Sequence, residues 1–300
     1  MNKFTVLLLF LMLFVGCATP KTTRPKPCLL TLEPTPHFDQ KGIFKVREET
    51  KDKIKYYLPE NLPNGCAIPL AFNNGTFLSC KSYDPYNRFM ASHGFVVACP
   101  LSRFTGSGKD CVKAIDKLME HPLTNKSIIG IAGHSQGGGG THACHELAER
   151  EHPNRLITSF GLQPAHGLLN LDYRKDYAKI KGPVGMVSGT DDWIVPNSWV
   201  ERGYNAVRSP KRWYEIQGIS HESWFDSPAR TMGASSLSWF RWQLLGDGVS
   251  RDHFNYLPST PLFKDIGNPV DRLYRLFLFP KTTEEEDLAN YKKELGAKKL

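Results

Sequence analysis

Ser135 has one glycine two positions before it and another two positions after it. This pattern constrains the fold of the 300-residue chain more than any other feature. Residues 133–137 read Gly-His-Ser-Gln-Gly. They follow an apolar run over 127–132 and precede a helix-compatible segment that begins near Thr141. In this pattern the serine stands on a very sharp turn between a strand and a helix, where glycines let backbones approach closely. The turn would lift the Ser135 hydroxyl clear of a sheet and aim the N–H of Gln136 at an oxyanion. A plain glycine-rich turn is the structural alternative.

The rest of the chain supplies an acid and a base in the order expected after this turn. Residues 183–188 indicate a strand, and the loop after it holds two adjacent carboxylates, Asp191 and Asp192. Two histidines lie further along the chain. His221 follows a short strand-like segment, so we expect it to be the base that activates the serine. His253 lies in a polar stretch after the last predicted helix and is expected to be a surface residue.

A serine nucleophile also needs a second oxyanion donor, from the loop after the third strand. Residues 67–72 indicate that strand, and 73–77 its loop. The N–H of Thr76 is the expected donor beside that of Gln136, with Phe77 as the alternative. An ordinary tight turn would account for the Asn-Asn-Gly of this loop equally well.

Strand and helix patterns alternate along the chain after residue 67, which predicts a mainly parallel α/β sheet with helices on both faces. Eight strands are predicted, near 43–48, 54–58, 67–72, 95–99, 127–132, 157–162, 184–188 and 212–216. Five helices are predicted, near 83–93, 109–120, 139–150, 197–207 and 231–245. The first two strands should form an antiparallel hairpin at the sheet edge. Only 57 positions separate Ser135 from Asp192, so we expect no large cap domain.

The order of these motifs resembles that of the cutinase-like polyester hydrolases of the dienelactone-hydrolase type, within the α/β-hydrolases. The matching segments are 74–76, 91–97, 105–108, 133–140, 189–196 and 218–221, and the resemblance runs from about residue 42 to about residue 256. It implies an α/β-hydrolase fold and ester hydrolysis. In that family the catalytic acid stands four residues before a proline, as Asp192 stands before Pro196. The resemblance therefore implies a triad of Ser135, Asp192 and His221, which needs no cofactor.

Two departures from the family bear on the substrate. Polyester-degrading members often carry methionine after the serine, where this chain has Gln136. They tend to carry a tryptophan lining the acyl site where this chain has His166. Both changes make the predicted site more polar. The candidate substrate contacts are Phe77, His166 and Trp193, although a tryptophan beside an acid loop is more often a packing residue.

The N-terminus has the pattern of an export signal. Lys3 precedes an apolar run of twelve residues, 4–15, which suits a secretory signal and is too short to span a bilayer as a helix. Residues 14–17 resemble a bacterial lipobox whose cysteine, Cys17, would be lipidated. Ordinary cleavage after Ala18 is the competing interpretation. We expect an exported protein of the outer membrane or periplasm, anchored by lipid, or else a secreted one.

These patterns divide the chain into four segments. Residues 1–17 form the signal, 18–40 a tether rich in Pro, Thr and Lys, 41–258 the hydrolase domain and 259–300 a C-terminal extension. The net charge is +8, but ten basic and five acidic residues precede position 59. Residues 59–258 carry 20 basic and 18 acidic groups and are nearly neutral, which argues against a nucleic-acid partner.

Six cysteines remain besides Cys17, and six allow fifteen connectivities that a sequence does not resolve. The resemblance implies a bridge between Cys80 and Cys111. The alternative treats Cys99 and Cys144 as buried free thiols that pack as small apolar groups.

Two other motifs carry little weight. His142 and His145 lie three apart on a predicted helix, but the sequence offers no third ligand, so no metal site is expected. Residues 106–109 read Gly-Ser-Gly-Lys, but the spacing of a phosphate-binding loop fails.

The leading functional hypothesis is a monomeric, exported serine ester hydrolase that acts on short or medium acyl esters. One alternative is an acyltransferase or amidase that uses the same triad. A second, from another class, is a surface-anchored binding protein without catalytic activity.

Overall fold

The structure is a computed structural model that describes residues 38–62, 66–166, 174–223, 232–256 and 263–265. The predicted signal, Cys17 and most of the tether lie outside these residues, as does the C-terminal extension apart from 263–265.

The chain forms one nine-stranded sheet in the order β1-β2-β4-β3-β5-β6-β7-β8-β9. The strands are, in chain order, β1 (Val46–Lys51), β2 (Ile54–Pro59), β3 (Ile68–Asn73), β4 (Phe95–Pro100), β5 (Ile128–His134), β6 (Leu156–Leu162), β7 (Val184–Gly189), β8 (Lys211–Ile216) and β9 (Phe263–Asp265). The six strands β3 to β8 pair in parallel, whereas β1, β2 and β9 join antiparallel at the two ends of the sheet. The mainly parallel α/β-hydrolase sheet expected from the sequence is confirmed.

Helices cover both faces of this sheet. They are α1 (Asp84–Ser92), α2 (Lys109–Glu120), α3 (Gln136–Glu151), α4 (Arg174–Tyr177), α5 (Asn197–Ala206), α6 (Met232–Leu245) and α7 (Gly248–Tyr256), with a 3₁₀ turn at Cys80–Tyr83. One apolar cluster joins α1, α6 and α7 to the sheet, and a second joins α2 and α3 to its other face. A buried parallel sheet needs apolar side chains on both faces, which explains its unbroken apolar strands.

Several elements differ from the sequence expectations. Strand β1 covers Val46–Lys51 rather than 43–48, and helix α4 was not expected. Helix α3 begins at Gln136 rather than near 139, because its run of glycines stays helical where it packs closely on neighbouring backbone. A ninth strand, β9, lies in the segment expected to extend beyond the domain. Helix α7 was not expected, and it carries His253.

The expectation that His253 is a surface residue is wrong. Its ring is half-buried and stacks on Phe38, with the ring centroids 3.8 Å apart. Burial lowers the pKa of His253 to about 4, so the ring is neutral near neutral pH. Among the described residues, no helix is both long and apolar enough to cross a membrane.

Candidate active site

Ser135 sits on a strained turn between β5 and α3. Its φ is +57°, a left-handed conformation that is uncommon outside glycine. A Cβ on Gly133 would lie 2.5 Å from the carbonyl oxygen of Gly137, and one on Gly137 would lie 2.3 Å from that of Asn73. Both glycines are therefore needed for the close approach of backbones that holds the serine above the sheet.

Three side chains meet above the carboxyl ends of β5, β7 and β8. Ser135 follows β5, Asp192 follows β7 and His221 follows β8. His221 Nε2 lies 2.9 Å from Ser135 Oγ, and His221 Nδ1 lies 2.8 Å from Asp192 Oδ2. The three residues are between 6% and 8% exposed. This geometry lets an imidazole remove the hydroxyl proton while a carboxylate fixes its tautomer.

The acid loop distinguishes the two neighbouring carboxylates. Asp192 is buried, and its Oδ1 accepts hydrogen bonds from the N–H groups of Ile194 (3.0 Å) and Val195 (2.8 Å), which orient the carboxylate. Asp191 is exposed and accepts a hydrogen bond from the Thr190 hydroxyl at 2.8 Å. Only Asp192 is therefore placed to pair with His221.

The loop after β3 supplies one side of the site. The N–H of Phe77 is engaged, because it donates to the carbonyl of Arg103 at 3.1 Å. No acceptor among the described residues contacts the N–H of Thr76. Gln136 is the first residue of α3, so its N–H has no partner within the helix. The backbone thus favours Thr76 over Phe77 as the second donor.

A chain of buried hydrogen bonds lies behind Ser135, and the sequence did not predict it. Tyr83 Oη accepts from the N–H of Gly75 at 2.8 Å and lies 3.0 Å from His134 Nδ1. Its own proton is then donated to Nδ1, which leaves the His134 proton on Nε2. That nitrogen lies 3.1 Å from the carbonyl oxygen of His221 and 3.1 Å from Gln163 Oε1. The chain links the Thr76 loop to the backbone of His221.

Electrostatics keep His134 neutral. Burial and the nearby His221 lower the pKa of His134 to about 3. Gln163 also holds the loop that carries His221, since its Nε2 donates a hydrogen bond to the carbonyl of Ser220 at 2.8 Å. The position of His134 inside the serine motif could have indicated that it lies close to the site. No sequence pattern, however, links His134 to Tyr83 or Gln163.

Of the candidate substrate contacts, two lie at the surface and one does not. Trp193 is 83% exposed and Phe77 67% exposed, and Phe77 packs edge-on against Phe104 with ring centroids 5.1 Å apart. His166 is only 2% exposed, with Nδ1 3.3 Å from the hydroxyl of Tyr177. The expectation that His166 faces the substrate is therefore wrong, because its ring is buried beneath α5 against Gly203.

The expected bridge between Cys80 and Cys111 is also wrong. Cys80 pairs with Cys99, and Cys111 pairs with Cys144. The alternative of free thiols fails for the same reason. Cys80 belongs to the apolar cluster on one face of the sheet and Cys111 to that on the other, so the sheet separates them. Cys66 is also disulfide-bonded.

The sheet and the serine turn have the arrangement of the α/β-hydrolase fold. No protein-family model matches it. It is similar to cutinase est1 and cutinase est2 of Thermobifida alba, each 26% identical over 272 residues. The similarity covers 83% of this chain and 85% and 84% of the two relatives, respectively. The resemblance to the cutinase-like branch of the α/β-hydrolases is thereby confirmed.

Proposed function

We propose that this chain is a serine carboxylic ester hydrolase. The observation that carries the proposal is the hydrogen-bonded line from Ser135 through His221 to Asp192, with distances of 2.9 and 2.8 Å. The similarity to two cutinases over most of their length supports the same class of reaction.

The reaction proceeds through an acyl-enzyme. His221 Nε2 takes the Ser135 proton as Oγ attacks the ester carbonyl carbon, and the N–H groups of Thr76 and Gln136 stabilise the resulting oxyanion. Asp192 stabilises the imidazolium. The tetrahedral intermediate expels the alcohol, which receives the proton from His221. Water then attacks the acyl-enzyme with His221 as base, releasing the acid and restoring Ser135.

The proposed substrates are short or medium acyl esters. Exposed aromatic rings stand on two loops of the site, Phe77 on the Thr76 loop and Trp193 beside Asp192. Both rings can cover an apolar acyl or alcohol group of the substrate, and the indole of Trp193 also carries an N–H that can stay in water.

We further propose that the protein is exported and anchored through Cys17. The two disulfides between described residues, Cys80–Cys99 and Cys111–Cys144, suit an oxidising compartment. Metabolic labelling with a palmitate analogue should mark the wild type and not Cys17→Ser. Unlabelled protein in the culture medium would instead favour ordinary signal cleavage.

A labelling experiment tests the proposed reaction. A fluorophosphonate probe should modify the wild type and fail to modify Ser135→Ala, and p-nitrophenyl butyrate should be hydrolysed only by the wild type. Equal absence of labelling in both proteins would instead support a binding protein. Adding alcohols or amines during turnover separates the remaining alternatives, since a transferase forms new esters or amides faster than free acid.

A further inference from the structure

Cys66 carries a disulfide that the two bridges described above do not explain. The residue is disulfide-bonded and only 1% exposed. The chain has seven cysteines, and four of the others are already paired with one another. The partner of Cys66 is therefore either Cys17 or Cys28, both of which precede the described residues.

Both proposed routes of maturation remove Cys17 from this choice. If Cys17 is the lipidated residue of a lipobox, the lipid occupies its sulfur. If the signal is instead cleaved after Ala18, Cys17 leaves with the signal. Cys28 lies ten positions after Ala18 and is kept in either case. A bond from Cys28 to Cys66 is thus the pairing that both routes allow.

The described chain begins at the same corner of the fold as Cys66. The carbonyl oxygen of Gln40 lies 3.0 Å from His93 Nε2. The next residue, Gly94, accepts a hydrogen bond from the N–H of Ile68 at 3.0 Å. Cys66 stands two positions before Ile68, so the chain enters the domain close to Cys66.

This corner lies at the opposite edge of the sheet from the proposed active site. Cys66 precedes β3, so it lies at the edge where the parallel strands begin. Ser135, Asp192 and His221 lie beyond the edge where such strands end. A strand rises about 3.3 Å per residue, so the six residues of β3 alone separate the two edges by about 20 Å.

We infer that Cys28 is bonded to Cys66, and that this bond makes the active site face away from the membrane that holds Cys17. The two thiols lose two protons and two electrons to a thiol–disulfide oxidant of the exporting compartment. The site then takes esters that arrive from the aqueous side, rather than lipids of the membrane to which the protein is attached. The orientation rests on the proposed anchor and the proposed hydrolase function, whereas the bond does not.

The reach of the tether decides the orientation. Eleven residues lead from Cys17 to Cys28 and span at most about 40 Å. Without the bond, the tether runs on to Phe38, twenty-one residues from Cys17, and spans up to about 75 Å. A compact domain of this length is about 45 Å across. Turning the site onto the bilayer would lift Cys66 farther than the bonded tether reaches, but not farther than the unbonded one.

A peptide map tests the bond. Free thiols of the full-length protein are alkylated without reduction, and trypsin with chymotrypsin then separates Cys66 from Cys80, because Phe72 and Phe77 lie between them. Mass spectrometry should find one cross-linked pair of peptides that contain Cys28 and Cys66. The pair should persist in Cys17→Ser, whereas Cys28→Ser should leave Cys66 as a thiol that is alkylated on denaturation. A cross-link from Cys66 to Cys17, or alkylation of Cys66 in the wild type, would overturn the inference.

Two fluorophosphonates test the orientation on lipidated protein in phospholipid vesicles. One probe is soluble, and the other is carried on the headgroup of a phospholipid in the same vesicle. The rate of Ser135 labelling by the lipid-borne probe is divided by the rate with the soluble probe. This ratio should rise about tenfold or more in Cys28→Ser, because the longer tether now spans the distance from the membrane to the site.

The double variant Cys111→Ala/Cys144→Ala is the matched control. It also lacks one bridge, but that bridge does not involve the tether, so its ratio should equal that of the wild type. Equal ratios in the wild type and Cys28→Ser, or a wild-type protein without lipid, would overturn the orientation. Absence of labelling by the soluble probe in every protein would overturn the proposed hydrolase function instead, while the peptide map decides the bond by itself.

Discussion

His134 Nε2 lies 3.1 Å from the main-chain carbonyl oxygen of His221, so the residue before the proposed nucleophile holds the backbone of the proposed base. The carbonyl accepts, and the ring therefore keeps its proton on Nε2. Tyr83 completes the arrangement from the other side, between Gly75 and His134 Nδ1. These buried hydrogen bonds thus fix two loops relative to each other: the base loop, which carries His221, and the oxyanion loop, which carries Gly75 and Thr76.

Replacing Tyr83 with phenylalanine should lower kcat by about 10- to 100-fold with little change in KM. The substitution leaves the N–H of Gly75 without an acceptor and His134 Nδ1 without a donor. The Thr76 donor and the His221 ring would then be held less firmly in the transition state. Steady-state kinetics on p-nitrophenyl butyrate measure the separation of kcat from KM.

Tyr86→Phe is the matched control for this substitution. Tyr86 lies on α1, is as buried as Tyr83 and bonds through its hydroxyl to Ser236 Oγ at 3.0 Å, away from the site. Its loss should lower the melting temperature and leave kcat unchanged. If both variants lose stability and neither loses kcat, the chain through Tyr83 has only a structural role.

Replacing Asp192 with asparagine should reduce kcat by about 10³- to 10⁴-fold. An amide in place of the carboxylate favours the wrong tautomer of His221 and no longer stabilises the imidazolium. Asp191→Asn should retain nearly the wild-type rate, since that carboxylate is exposed and bonds to Thr190. Comparable losses in the two variants would contradict the assignment of the acid.

The free energy of unfolding should decrease as pH falls below about 6.5. Burial lowers the pKa of His134 to about 3, that of His253 to about 4 and that of His142 well below 6.5. Below pH 6.5 the unfolded chain binds protons at these rings and the native protein does not, so acid favours unfolding. Each ring contributes a slope of up to about 1.4 kcal/mol per pH unit between 6.5 and its native pKa.

Urea unfolding at stepwise lower pH measures this slope, and His253→Phe tests its origin. The phenyl ring can keep the stack on Phe38 but takes up no proton, so the pH dependence should flatten while ester hydrolysis is retained. An unchanged slope would show that His253 is accessible to protons in the native protein.

Local patterns were enough to predict the parts of the site that depend on backbone. The glycines around Ser135 report a close approach that no other residue tolerates, and the structure shows the contacts that forbid a Cβ there. The strands were also predictable, because burial on both faces of a parallel sheet demands unbroken apolar runs.

The predictions that were wrong concern residues whose place in the packing cannot be seen in the sequence, such as the face of the sheet on which they lie. A sequence does not show that the turn holding Cys80 and the helix holding Cys111 pack on opposite faces, so their pairing was wrong. The prediction for His166 was wrong for a similar reason, because α5, which covers its ring, comes from a distant part of the chain. The bond from His134 to the His221 backbone joins residues 87 positions apart and leaves no local signature.

Removing the two disulfides separately should affect stability and activity in opposite order. Cys111–Cys144 spans 33 residues and Cys80–Cys99 spans 19, so the chain-entropy model gives losses of about 3.7 and about 3.2 kcal/mol, respectively. Cys80 begins the turn that ends at Tyr83, whose hydroxyl accepts the N–H of Gly75. Loss of Cys80–Cys99 should therefore loosen the oxyanion loop and lower kcat.

Two double variants make the comparison, each with both cysteines of one bridge replaced by alanine. Urea unfolding measures the stability of each variant, and kcat is measured well below either melting temperature. The Cys111–Cys144 variant should be the less stable protein but keep the higher kcat, because that bridge joins α2 to the interior of α3 rather than to a loop of the site. A larger fall of kcat in this variant than in the Cys80–Cys99 variant would contradict the proposed role of the Tyr83 turn in holding the oxyanion loop.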